Sequence, residues 1–184
     1  MSEFPCDIES LSDLRTRIET LLGQSKGSPD AGKLSDLWRT YQVAHCETLQ
    51  VSALMTIMTQ LTQRSADELA PLIDRTRDFL ISVSGEDHPI LLEHGCISLS
   101  THSPYDVWAT TKTILAVNTA YSGTEFRIPK PILQALKRHF EELNLRLQES
   151  RVAEEQFAVL TKTERALEAD LFRLLGVLVP GMSQ

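Results

Sequence analysis

At 184 residues the chain can hold one domain with a sizeable core, and two full domains would be tight. Hydrophobic residues at 42% and charged residues at 23% are ordinary for a soluble globular protein and exclude a disordered, low-complexity chain. A net charge of −7 opposes a phosphate backbone, so nucleic acid starts as a disfavoured partner.

The first helix is expected over Asp7 to Leu22, with Ile8, Leu11, Leu14, Ile18, Leu21 and Leu22 on one face and Gly23 as its stop. Residues 23–32 (GQSKGSPDAG) read as a flexible connection. From Lys33 to about Thr62 apolar side chains recur at steps of three and four, which predicts a long second helix ending near Arg64. Ser65-Ala66-Asp67-Glu68 fits a capping box and predicts a third helix, with Pro71 bending it or moving its start to Asp67, and a hairpin joining it to the second. Between residues 84 and 103 the helical period fails. Phe79–Val83 and Cys96–Ser100 alternate enough to suggest a small two-stranded insertion, with an irregular loop as the alternative. Ser103 and Pro104 then restart a helix that runs to about Tyr121. A second long helix is expected from Pro131 to about Leu175, broken or solvated over Gln148 to Gln156, with Thr163 as a cap for a separate last piece. The predicted fold is mainly α: a single domain over residues 1–184, an elongated bundle of five or six helices, its two long helices paired antiparallel in coiled-coil fashion.

Cys6, Cys46 and Cys96 are odd in number and form no CxxC pair, which favours a reducing compartment over a disulfide framework or zinc ribbon. Met1-Ser2-Glu3-Phe4-Pro5 carries acid where a signal peptide carries base, and no run reaches the ~20 apolar residues of a membrane span. The expectation is an intracellular, cytoplasmic protein with no membrane segment.

The densest set of chemically capable side chains lies in Asp87 to His102, where His94 and Cys96, two apart on a strand face, are the candidate metal ligands. Two ligands are too few, and an extended Cys96-to-His102 segment spans about 20 Å, so no metal or other cofactor is expected. His45 and Cys46 are neighbours, but adjacent helical residues point about 100° apart and do not face each other as base and nucleophile must. His45 reads instead as a hydrogen-bonded histidine at a helix interface. Glu141-Glu142 and Glu154-Glu155 read as a solvated face. Arg127, Lys130, Lys137 and Arg138, with His139, concentrate positive charge and are the candidate anion-binding residues.

Phe157, Leu160, Leu167, Leu171 and Leu174 form the apolar stripe of the last helix and are the candidate interaction residues. The functional expectation is a non-catalytic helical protein–protein interaction module, adaptor or subunit of a larger assembly, engaging a protein partner or a second copy of itself. The alternatives are a small enzyme or metal-binding protein using residues 87–102, and a nucleic-acid-associated factor using the basic residues of 127–139.

Overall fold

A computed structural model describes residues 11–24, 29–96 and 103–178. These residues are 88% helical, which meets the expectation of a mainly α fold, and no strand occurs among them. The helices are α1 (Leu11–Gln24), α2 (Pro29–Ser84), α3 (Ile90–Glu93), α4 (Pro104–Ala120) and α5 (Lys130–Leu178). The two long helices, α2 and α5, pack together. The chain gathers into two compact units, one of Met1–Ser52 with Glu155–Gln184 and one of Ala53–Glu154, and both long helices contribute to each. No described helix is long and apolar enough to cross a membrane.

In the first unit, the i, i+4 pair Leu14 and Ile18 turns one face of α1 into a core with Leu34, Trp38 and Tyr41 of α2 and Leu171 and Leu175 of α5. Trp38 stacks on Tyr41 at 5.6 Å, and Tyr41 on His45 at 5.9 Å. His45 Nδ1 meets Glu164 Oε1 at 2.6 Å, tying α2 to α5. This is the hydrogen-bonded interface histidine that its place on the apolar stripe predicted.

In the second unit, Leu69, Ile73 and Leu80 of α2 share a core with Val107 and Ile114 of α4 and Leu136 and Leu143 of α5. Contacts at Thr62 with Arg146 and at Glu68 with His139 show α2 and α5 running antiparallel here. Ser103 caps α4 as predicted, its Oγ accepting the Asp106 N–H at 3.2 Å and donating to Asp106 Oδ2 at 2.6 Å, with Pro104 in the first turn. The short α3 ends in a Schellman motif. Gly95 sits at φ 65° while its N–H reaches the Leu92 carbonyl and the Cys96 N–H reaches that of Leu91.

Several boundaries differ from the sequence expectation. The described part of the first helix begins at Leu11 and continues through Gly23 to Gln24, and residues 1–10 lie outside the described residues. The connection is shorter than 23–32, because Pro29 opens α2; residues 25–28 are outside the described set. The predicted second and third helices are one helix, so the hairpin between them does not exist. Gln63–Asp67 and Arg64–Glu68 pairs, each i, i+4, run straight through the supposed cap. Thr62 returns its hydroxyl to the Met58 carbonyl at 2.8 Å, and Ser65 is buried and cannot serve as an exposed cap. Pro71 costs a helix interior ~3 kcal/mol, and burying Leu69 and Ile73 at about 1.5–3 kcal/mol each offsets it. Residues 79–83 are helical, which removes one strand of the suggested insertion, while 97–100 fall outside the described residues. The polar stretch 148–156 and Thr163 do not break α5. Gln, Glu, Arg and Ala are strong helix formers, and Ala153 is the small residue that keeps the stretch packed.

Candidate functional site

The connection from α4 to α5 is held from within. The Asn118 side chain, buried on the inner face of α4, accepts the Ile128 N–H at 2.9 Å. The chain turns at Gly123, φ 91°, then Thr124 donates to the Tyr121 carbonyl and accepts the Arg127 N–H. Anchored on buried Ile128, this segment places Arg127 and Lys130 beside Lys137, two turns into α5, around one cleft of about 560 Å³. Pro129, Ile128 and Leu133 supply its apolar wall and Gln134 an amide. The first turn of α5 carries no acidic residue, so the positive end of its helix dipole adds to the potential. Among the described residues no ion pair engages Arg127, Lys130 or Lys137. Three of the four sequence-predicted anion-binding residues therefore meet. Arg138 does not join them; its guanidinium donates to His139 Nε2 at 3.2 Å on another side of α5.

That other side holds a group the sequence reading missed. Glu68 of α2 and His139 and Glu142 of α5 bring one potential ligand atom each within 4.8 Å of one another. His139 and Glu142 stand at i, i+3, one face of a helix. The sequence signal is the His-x-x-Glu spacing, but locally Glu68 fits a cap, His139 a basic cluster and Glu142 a solvated face.

The candidate ligands of 87–102 are placed differently from the expectation. His94 and Cys96 lie in and after the turn that ends α3, not on a strand, and both are buried. His94 Nδ1 donates to the Ile90 carbonyl at 3.0 Å, and its Nε2 has no partner. Desolvation holds its pKa below the ordinary histidine value, opposed by the Ile90 carbonyl and the Glu93 charge. Burial pushes the Cys96 thiol up to about 12, so it stays protonated and is a poor ligand or nucleophile. Cys46 is exposed. His102 lies outside the described residues.

The candidate interaction stripe is largely covered within its own unit. Leu171 is 0% exposed, and Leu167 and Leu174 pack on the same cluster; Phe157 and Leu160 are half-buried. Residues of α1 and the first part of α2 share that cluster with Leu167, Leu171 and Leu174. Comparison with protein-family models, with curated proteins and with solved structures finds no match.

Proposed function

We propose that this chain is a non-catalytic helical interaction module that captures an acidic segment of a partner protein in the cleft at the start of α5. The observation that carries the reading is the convergence of Arg127, Lys130 and Lys137 on one cleft in a chain of net charge −7. The apolar wall of Pro129, Ile128 and Leu133 beside those cations favours a segment that alternates acid with apolar side chains. Nucleic acid fits less well, since the chain's net charge of −7 opposes a phosphate backbone.

The test uses a fluorescein-labelled peptide alternating Glu and Leu, with anisotropy read at low and at physiological salt. Binding should weaken as salt rises, because an open cleft is screened over about 8–10 Å. The double variant Lys130→Glu, Lys137→Glu should lose at least tenfold in affinity while keeping its circular dichroism. Equal binding by that variant, or tighter binding of a single-stranded oligonucleotide than of the peptide, would overturn the reading.

Self-association is a second reading, favoured by Leu145 and Val152, a heptad apart on α5 and 50% and 62% exposed. Sedimentation of the wild type and of Leu145→Glu, Val152→Glu distinguishes it. A dimer that dissociates in the variant supports it, and a monomeric wild type removes it.

A further inference from the structure

We propose that Glu68, His139 and Glu142 form a binding site for a divalent transition ion of the zinc class, joining α2 to α5 within the second unit. The three ligand atoms lie within 4.8 Å of one another. An ion held at ~2.0–2.2 Å from each needs them about 3–3.5 Å apart, so the widest separation must close by up to roughly 1.3–1.8 Å. Two of the three lie on long, exposed carboxylates that make this adjustment by rotation alone.

The surroundings suit the assignment. Glu68 offers Oε2 to His139 Nδ1 at 3.8 Å, while its Oε1 is engaged by Arg64 Nε at 3.3 Å. Arg64 thus holds the carboxylate oxygen that does not face His139, as outer-shell partners of metal ligands do. His139 is the most enclosed of the three, with a side chain 19% exposed, so its ring is the positioned donor onto which the carboxylates close. On binding, Nδ1 presents its lone pair and Nε2 carries the proton, and exposed Arg138 swings away from Nε2. One imidazole and two carboxylates suit zinc, nickel or manganese better than calcium, which takes oxygen ligands alone. Water completes the coordination and is the exchangeable ligand. Residues 68 and 139 are distant in sequence, so the His-x-x-Glu spacing marks only two of the three ligands and the register of α2 against α5 supplies the third.

The experiment titrates the full chain with zinc chloride by calorimetry, beside Glu142→Gln, Glu68→Gln and His139→Ala. The expected result is one ion per chain, weakened at least tenfold by each substitution, and a zinc-dependent rise in melting temperature that the variants lose. Glu142→Gln keeps shape at an exposed position, so the test holds even if His139→Ala folds poorly. Cobalt(II) supplies a second readout: nitrogen and oxygen ligation gives weak visible bands with no thiolate charge transfer. A wild type that takes up no zinc at 100 µM, binding unchanged in Glu142→Gln and Glu68→Gln, or a strong cobalt–thiolate band would each overturn the proposal.

Discussion

Leu171→Ala tests whether the apolar stripe of α5 is core or docking surface. Leu171 is 0% exposed and shares its cluster with Leu14, Ile18, Leu34 and Trp38. The substitution removes three carbons, a transfer loss of about 2.4 kcal/mol at ~0.8 kcal/mol per methylene. The partly relaxed cavity brings the expected total to about 3–4 kcal/mol. Of the two tryptophans, Trp38 lies in this core, while Trp108 belongs to the other unit, stacked on Phe140 and donating to Asn144. In a Trp108→Phe background, fluorescence therefore reports the Trp38 environment alone. With a urea m-value of about 1.5–2 kcal/mol per M, the midpoint should fall by roughly 2 M while light scattering shows an unchanged mass. An unchanged midpoint together with loss of an oligomer or a bound partner would refute the packing argument and return Leu171 to the surface.

Ser103→Ala should destabilise the second unit by about 1 kcal/mol, read as a lower urea midpoint in Trp108 fluorescence, because the Asp106 N–H loses its acceptor. His94 should make stability fall on acidification. The unfolded chain takes up a proton near pH 6.5, the desolvated folded ring resists it, and so unfolding binds protons from about 6.5 down to the lowered folded value. The slope is at most about 1.4 kcal/mol per pH unit. The groups facing the ring are the Ile90 carbonyl, the Glu93 carboxylate and the Tyr121 ring, whose hydroxyl donates to Glu93. His94→Gln should flatten the slope in urea titrations over that range. In a Cys6→Ser background a maleimide should label Cys46 in native buffer and Cys96 only after unfolding, read by intact mass; rapid double labelling would contradict the burial of Cys96.

Helical content and the pairing of two long helices were legible because both follow from a period repeated over tens of residues, as in Leu34, Trp38 and Tyr41 or Leu136, Phe140 and Leu143. The cap at Ser103 was legible because Pro104 follows it and Asp106 answers it locally. The false cap at Ser65 shows the limit of that reasoning. Ser-Ala-Asp-Glu satisfies the same local rule, but Ser65 and Thr62 face inward and Asp67 and Glu68 pair backwards along a continuous helix. A capping box is a choice between two sets of hydrogen bonds, and burial of the flanking Ala66 and Leu69 on an unbroken face decided it. The polar stretch 148–156 misled for the complementary reason. Loss of an apolar stripe says that a face is solvated, and says nothing about whether backbone hydrogen bonds continue.

Which candidate residues share a cleft was legible only where neighbours in sequence are neighbours in space. Arg127, Lys130 and Lys137 lie within one loop and two helical turns, so their composition already marked them. Arg138 is not among the residues that line the cleft. Arg138 follows Lys137 directly, and a 100° step along the helix carries it off the cleft and towards His139. Glu68 and Glu142 were each explained locally, one as a cap and one as solvated charge, and each local explanation was sufficient alone. What joins them is the antiparallel register of α2 against α5, in which residues further along one helix meet residues nearer the start of the other, as Thr62 meets Arg146 and Glu68 meets His139. That register is fixed by apolar side chains, Leu69 and Ile73 against Leu136 and Leu143, that take no part in the chemistry. A single sequence displays those core residues plainly but leaves open which turn of α2 faces which turn of α5. A shift of one turn in that pairing would move Glu68 about 5.4 Å along the axis and separate it from His139 while leaving every periodicity intact.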